Sequence, residues 1–187
     1  MALGLNDVDV EGIKALDKRV RENPALGKRT VKLRSSWQRG VKALVEIGAQ
    51  DVAGQSAVAP TRRFFVTMDA PAGLGGVDAA PTAAESLVAA LAGCLTSGIA
   101  ANAALFDVPI AGIDIDMEAD IDFRGLLGHD KSVRNGFSDI RYTVTIKSPA
   151  SEEKVRKCKE TIDHKSPVGD TIANPVNITS KFVFKPS

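Results

Sequence analysis

Residues 81–106 read PTAAESLVAALAGCLTSGIAANAALF, and the prediction of the fold starts from them. Its only charged residue is Glu85, and no proline follows Pro81 until Pro109. Thr82 followed three residues later by Glu85 is the pattern of an N-terminal capping box. Small side chains cover every face, which predicts a helix buried nearly all round and packed tightly against another helix. At about 1.5 Å per residue it spans roughly 36 Å, so we expect a central helix enclosed by sheets.

Cys94 lies in the middle of this predicted helix and is one of two cysteines in the chain. The helix N-terminus is roughly 18 Å away, and the helix dipole acts only over the first turn. A reactive thiol at this position therefore needs a nearby cation that favours the thiolate. The alternative is a structural role, because free cysteine is among the most buried residue types.

Composition limits the class of protein. A length of 187 residues fits one domain, and a net charge of +1 with interspersed signs predicts neither nucleic-acid nor membrane binding. The long apolar run is rich in Ala and Gly rather than Leu and has no second such segment, which favours a central helix over a membrane span. Two cysteines and the lack of a signal-like pattern in residues 1–10 predict a reducing, cytoplasmic setting.

Periodicity predicts the remaining elements. Before the central helix they are a helix over 9–22, an edge strand over 30–37, a turn at 38–40, its hairpin partner over 41–47, a loop over 51–60, a strand over 62–69 and a loop over 70–80. After it they are strands over 112–123 and 139–147, a helix over 151–164, a short helix capped by Ser166 and ended by Pro175, and a strand over 176–184. The glycines of the 70–80 loop lack the spacing of a nucleotide-binding loop. This order is not a repeating βαβ pattern, so the predicted class is α+β.

Two features invite a metal site, and both have a simpler explanation. Five carboxylates line one face of the strand over 112–123. Residues on one face of a strand are about 6.5–7 Å apart, too far for one calcium ion to gather several, so we expect a solvated face paired with Arg141 and Lys147. His129 has no cysteine or second histidine near it, so we expect no metal there. Cys158 lies on the apolar stripe of its helix and is interpreted as a core residue.

Together these features resemble the OsmC and organic hydroperoxide resistance superfamily. PTAAESLVAALAGC is similar to the family's small-residue helix, which has an acidic residue near its start and the peroxidatic cysteine in its middle. The helix over 151–164 runs into Ser166-Pro167-Val168, where the family commonly has Cys-Pro-Val. The resemblance covers roughly residues 30–184, so we expect a helical extension over 1–29 and one OsmC-like domain over 30–187.

The resemblance implies an OsmC-like α+β fold and an intertwined homodimer, with two central helices enclosed by sheets of both chains and sites at the interface. In the family a cysteine thiolate attacks the O–O bond of an organic hydroperoxide. An arginine stabilises the thiolate, and an acidic residue orients the arginine. A second cysteine captures the sulfenic acid, and a dithiol restores the enzyme. No cofactor is implied.

The family's site residues carry over unevenly. Cys94 matches the peroxidatic cysteine. Arg39 falls near the arginine of the organic-hydroperoxide branch, whereas Arg62 and Arg63 fall near that of the OsmC branch, and the choice stays open. Glu85 precedes Cys94 by nine residues where that first branch has ten. Nine residues turn a helix by about 180°, so capping is the favoured role of Glu85.

The main departure is Ser166, which occupies the position of the resolving cysteine. A serine can cap a helix but cannot close a disulfide. Cys158 lies eight residues earlier, about 12 Å along its helix. A disulfide needs Cα atoms within about 7 Å, so we do not expect Cys158 to substitute. Oxidised Cys94 would need an external thiol or would be oxidised further.

Three functions remain. The first is a one-cysteine hydroperoxide reductase, or a related thiol-based redox protein, that uses Cys94 with an arginine. The second is a different thiol enzyme on the same scaffold. The third is a non-catalytic protein that binds an apolar small molecule in the dimer groove. The expected partners are a second copy, a small organic hydroperoxide or other apolar molecule and, if the protein is active, an external thiol reductant.

Overall fold

A computed structural model describes residues 4–186. The helices are α1 (Val10–Glu22), α2 (Ala83–Leu105), α3 (Phe123–Leu126), α4 (Glu152–Asp163) and α5 (Pro167–Ala173). The strands are β1 (Arg29–Arg39), β2 (Lys42–Val52), β3 (Gln55–Ser56), β4 (Phe64–Met68), β5 (Gly112–Asp120) and β6 (Asp139–Lys147). All strand pairs are antiparallel, and helices do not alternate with parallel strands, so the predicted α+β class is confirmed.

The central helix α2 begins as its sequence predicts. The backbone N–H of Glu85 donates to the Thr82 hydroxyl over 3.1 Å, and the Glu85 carboxylate accepts from the Thr82 N–H over 2.7 Å. The side chains that α2 buries form one stripe: Leu91, Leu95, Ile99, Ala103 and Ala104. Burial nearly all round is therefore wrong within one chain, because α4, α5 and β5 cover only one side of the helix. α2 is also long and apolar enough to cross a membrane. The core helices of soluble proteins can meet the same criterion of length and composition.

α4 packs against α2 in an antiparallel register. A Cβ atom at Gly98 would lie 2.3 Å from two side-chain carbons of Ile162, so the glycine permits the close approach. Asn102 follows Gly98 by four residues, and Cys158 precedes Ile162 by four. The side-chain amide of Asn102 donates over 3.5 Å to the carbonyl of Cys158. The tight helix–helix packing predicted from the small residues of α2 is confirmed.

β5 and β6 form a two-stranded sheet whose apolar face packs on the core around α2. On the solvent face, Arg141 Nε donates to Glu118 over 2.7 Å, and the same guanidinium pairs with Asp120. This agrees with the predicted pairing of the acidic face with a cross-strand cation. β5 ends earlier than predicted because Asp122 caps α3, accepting from the Arg124 N–H over 2.9 Å. Within residues 4–186 no group of three or more His, Cys, Asp and Glu is placed to hold a metal.

β1, β2 and β4 form the core of a second sheet, with β1 at its edge. Arg39 pairs with Lys42, so the chain turns at residues 40–41 rather than 38–40, and Gly40 takes the positive φ of 58° that this tight turn uses. β2 continues into the predicted loop over 51–60 and pairs there with β3. The sheet makes no extensive contact with α2 or α4. Apolar side chains on it are therefore exposed, and Trp37 is 75% exposed.

The N-terminal segment docks on the body of the protein. The Asn6 side chain donates over 3.0 Å to the Val108 carbonyl and accepts over 2.8 Å from the Ile110 N–H. The predicted helix over 9–22 is present as α1 and begins after Asp9, whose side chain accepts from the Gly12 N–H over 2.9 Å. The division into an extension over 1–29 and a domain over 30–187 stays a prediction, and its residues 1–3 and 187 lie outside the described part.

The prediction of a last strand over 176–184 is wrong within one chain. Residues 175–186 follow α5 without regular secondary structure. Ile178 and Phe182 are 89% and 87% exposed. The apolar alternation is present in the sequence, but a strand needs a paired neighbour, and no strand of residues 4–186 pairs with this segment.

Candidate functional site at the junction of two helices

The candidate site lies where the middle of α2 meets the start of α5. Cys94 is half-buried, and its Sγ lies 3.2 Å from the Oγ of Ser166. Ser166 is only 3% exposed and caps α5 by accepting from the Gly169 N–H over 3.0 Å. A thiol and a buried hydroxyl are thus held in contact by two separate helices.

The register between α2 and α4 brings this pair together. Ile162 lies opposite Gly98, and Ser166 follows Ile162 by four residues while Cys94 precedes Gly98 by four. The backbone N–H of Ser166 donates over 2.8 Å to the Ile162 carbonyl, which keeps Ser166 against the last turn of α4. Pro167 then occupies the first turn of α5, as predicted.

Cys158 lies in a different part of the core. It is fully buried beside Ala103, and its Sγ donates over 3.2 Å to the Lys154 carbonyl. Burial raises the pKa of the Cys158 thiol above its ordinary value of 9.0. In the helix register Cys158 faces Asn102, which is two turns, about 12 Å, from Cys94. This geometry supports the prediction that the two cysteines do not pair.

Arg62 and Arg63 lie on the other sheet and have partners of their own. The Arg62 guanidinium stacks over the Phe64 ring, 4.7 Å from its centroid. Arg63 Nε lies 3.3 Å from the Glu46 carboxylate in an exposed ion pair. Among residues 4–186 no hydrogen bond or ion pair joins either arginine to Cys94. Among the described residues, neither arginine is therefore bonded to the Cys94 thiol.

Arg39, the third candidate, is the last residue of β1 and lines a cavity of about 140 Å³ beside Asp69. The buried Asp69 carboxylate accepts from the Ala79 N–H over 3.0 Å and the Val77 N–H over 3.3 Å. These bonds, the one from Ala79 above all, hold the pKa of Asp69 below its ordinary value of 3.8. No motif in the sequence singles out Asp69; its only signal is an isolated acidic residue where a strand enters a glycine-rich loop.

Glu85 fixes the start of α2. Its carboxylate accepts from both the N–H and the hydroxyl of Thr82, over 2.7 Å and 2.8 Å. These hydrogen bonds lower the pKa of the Glu85 carboxyl. The geometry favours the capping role over contact with Cys94, and a catalytic role stays a prediction.

Solved structures share this architecture. A Psychrobacter arcticus 273-4 protein with a proposed role in the osmotic stress and detoxification response gives a TM-score of 0.58 at 15% identity, over 78% of this chain and 90% of that one. An OsmC-like protein from Mycoplasma pneumoniae gives 0.59 at 13% identity, over 78% and 89%. A Legionella pneumophila protein described as an organic hydroperoxide resistance protein OsmC gives 0.52 at 14% identity, over 76% and 88%. At such low identities the likeness shows the fold alone, and it confirms the OsmC-like fold.

The sequence comparisons point the same way. No curated protein matches the chain. A family model described as OsmC-like protein matches residues 75–181, a range that contains the central helix, Cys94 and Ser166. Since that range is more than half of the 187 residues, this chain belongs to the OsmC-like protein family.

Proposed function

We propose that this protein reduces organic hydroperoxides, with Cys94 as the nucleophile and an external thiol as the reductant. The observation that carries the proposal is the contact between the half-buried Cys94 thiol and the buried Ser166 hydroxyl. A reactive thiol has to be partly accessible, as Cys94 is and Cys158 is not. The Legionella pneumophila protein described as an organic hydroperoxide resistance protein shares the fold, which supports the substrate class.

The chemistry begins with the Cys94 thiolate. The sulfur attacks the O–O bond of the hydroperoxide, an S–O bond forms, and the O–O bond breaks. The sulfur is oxidised by two electrons to a sulfenic acid, while the leaving alkoxide takes a proton and departs as an alcohol. One hydroperoxide is thereby reduced for each thiol oxidised.

Regeneration requires a thiol from outside the chain. Ser166, the side chain that touches Cys94, has no sulfur, and Cys158 lies about two helical turns away. An external thiol attacks the sulfenic sulfur and water leaves, giving a mixed disulfide. A second thiol then attacks this disulfide, releasing the Cys94 thiolate and the oxidised reductant.

The functional unit we propose is a homodimer. Large apolar side chains are exposed on the sheet of β1, β2 and β4, on α2 and along residues 175–186: Leu33, Trp37, Phe64, Phe65, Leu87, Ile178, Phe182 and Phe184. Exposure on this scale marks an interface. A second copy of the chain fits this interface. Among residues 4–186 the sheets have unpaired edges, and residues 176–184 have the alternation of a strand but pair with no strand. An arginine that reaches Cys94 would then come from the partner's copy of the β1–β2–β4 sheet.

The test follows the thiols by intact mass after adding cumene hydroperoxide to the full chain and to Cys94→Ser and Cys158→Ser variants. We expect a rapid mass gain of one oxygen atom in the wild type and in Cys158→Ser, and none in Cys94→Ser. One alcohol should form for each sulfenic acid, and adding a dithiol should then restore the original mass.

Two outcomes would contradict the proposal. Loss of two hydrogen atoms that needs both cysteines would mean that Cys158 resolves the sulfenic acid inside the chain. A Cys94 thiol that ignores hydroperoxides would remove the peroxidase function. It would favour the other two functions, a different thiol reaction or the binding of an apolar molecule at the dimer interface.

A further inference from the structure

The Ser166 hydroxyl has one hydrogen to place, and the site offers one acceptor for it. Ser166 Oγ already accepts from the Gly169 N–H over 3.0 Å. Because the side chain is 3% exposed, its hydrogen has to find an acceptor inside the protein. Among residues 4–186 the polar atom in reach of Oγ, besides that N–H, is Cys94 Sγ at 3.2 Å.

We infer that Ser166 donates a hydrogen bond to the Cys94 thiolate and is the residue of this chain that stabilises the reactive form of the thiol. A hydrogen bond to the charged form of a group favours that form. The bond from Gly169 fixes the hydroxyl in place, so little reorganisation accompanies loss of the thiol proton. The inference rests on the proposed function in that it concerns the same thiol, but it does not require a hydroperoxide as substrate.

The surroundings of the pair strengthen the inference. The contact is anchored on two sides, by the Gly98–Ile162 packing and by the bond from the Ser166 N–H to the Ile162 carbonyl. Gly98 and Ile162 thus hold the Ser166 Oγ against the Cys94 Sγ. Among residues 4–186 no arginine hydrogen-bonds to Cys94, so Ser166 is the hydrogen-bond donor that the described chain offers to this thiol.

The experiment measures the rate of Cys94 alkylation by iodoacetamide against pH in the full chain, with the adduct located by peptide mapping. Ser166→Ala should move the pH of half-maximal rate upward by about one unit, because a hydrogen bond to a charged group contributes about that much. Alkylation at a pH below both midpoints should then be roughly tenfold slower. Ser148→Ala is the matched control: Ser148 Oγ also accepts from a backbone N–H and donates to a carbonyl, far from Cys94 in the chain.

Two further variants separate the hydroxyl from its capping role. Ser166→Gly removes the hydroxyl at little cost in capping, so it should show the same upward shift even if Ser166→Ala folds poorly. Ser166→Thr keeps a hydroxyl and should restore most of the wild-type profile.

An unshifted profile in both Ser166→Ala and Ser166→Gly, or an equal shift in Ser148→Ala, would overturn the inference. These results are distinguishable from failure of the proposed function. A shifted profile in a protein that ignores hydroperoxides overturns only the peroxidase function. Sulfenic acid formation with an unshifted profile overturns only the role of Ser166.

Discussion

Gly98 of α2 and Ile162 of α4 are in such close contact that a β-carbon on residue 98 would lie 2.3 Å from two carbons of the isoleucine side chain. Ile162 is buried, so it has little freedom to move aside. The same packing of α2 against α4 places Ser166 beside Cys94, about one helical turn from the contact between Gly98 and Ile162. The packing of a glycine against an isoleucine therefore determines the geometry of the candidate site.

Replacing Gly98 by alanine should destabilise the protein despite the better helix propensity of alanine. The added methyl overpacks the interface at a cost of about 1–3 kcal/mol, against a propensity gain of roughly 1 kcal/mol. We expect a net loss of about 1 kcal/mol, and at most about 2 kcal/mol, in the free energy of unfolding, measured by urea denaturation.

Gly93→Ala on the same helix is the control, because a β-carbon there meets no atom of the chain within 4 Å. It should leave the stability unchanged or raise it by up to about 1 kcal/mol. Equal effects of the two substitutions would show that α2 and α4 are not packed as closely as described.

Ser166→Cys should create an intramolecular disulfide with Cys94. The two side-chain atoms are 3.2 Å apart in the native protein, and a small adjustment brings two sulfurs to the bonding distance of about 2.05 Å. After one equivalent of hydroperoxide we expect a loss of two hydrogen atoms and of both thiols, in place of the gain of one oxygen atom expected for the wild type.

Thr171→Cys, on the exposed side of α5, is the matched control and should form no such bond. Formation of the disulfide at both positions would mean that α2 and α5 move freely past each other.

Local patterns in the sequence predict most of the elements. The T-x-x-E pattern fixes the start of α2 through Thr82 and Glu85, and Ser166 followed by Pro167 fixes the start of α5. Both signals act between residues at most three positions apart, so they need no knowledge of the tertiary fold. The contact of Cys94 with Ser166 joins residues 72 positions apart, and only the resemblance to a family suggested it.

Two of the wrong predictions share one physical cause. The segment over 176–184 has the alternation of a half-buried strand, and α2 has the small side chains of a helix covered on all sides. Such patterns predict buried surfaces, whereas the described residues of one chain cover only part of them. Asp69 has no sequence signal for another reason. Its hydrogen bonds come from backbone N–H groups, which the sequence does not distinguish, and its ion-pair partner Lys42 is 27 positions away.

The exposed apolar side chains of residues 175–186, such as Ile178 and Phe182, should be required for dimerisation. We expect wild-type protein to elute at about twice the chain mass of 19.7 kDa in size-exclusion chromatography with light scattering. Ile178→Asp with Phe182→Asp should shift it towards the monomer, because burying two carboxylates in an apolar interface is unfavourable.

Asn177→Asp with Thr179→Asp adds the same charge at the polar positions that flank Ile178 in the sequence and should leave the dimer intact. If both double variants remain dimeric, this segment lies outside the interface. A monomeric wild-type protein would remove the dimer from the proposed function.

Asp69 should make the stability of the protein sensitive to acid. Its pKa is lowered in the folded state, chiefly by the hydrogen bond from the Ala79 N–H, so the unfolded chain binds a proton at a higher pH than the folded chain does. The stabilisation is therefore complete above the ordinary value of 3.8 and is lost as the pH falls through the lower folded value. Urea midpoints measured from pH 7 down to about pH 3 should fall less steeply for Asp69→Asn, which keeps an acceptor for the loop N–H groups but has no proton to bind. Asp78→Asn, an exposed change in the same loop, is the control and should retain the wild-type slope of urea midpoint against pH. An equal slope in all three proteins would mean that Asp69 titrates alike in the folded and unfolded chains.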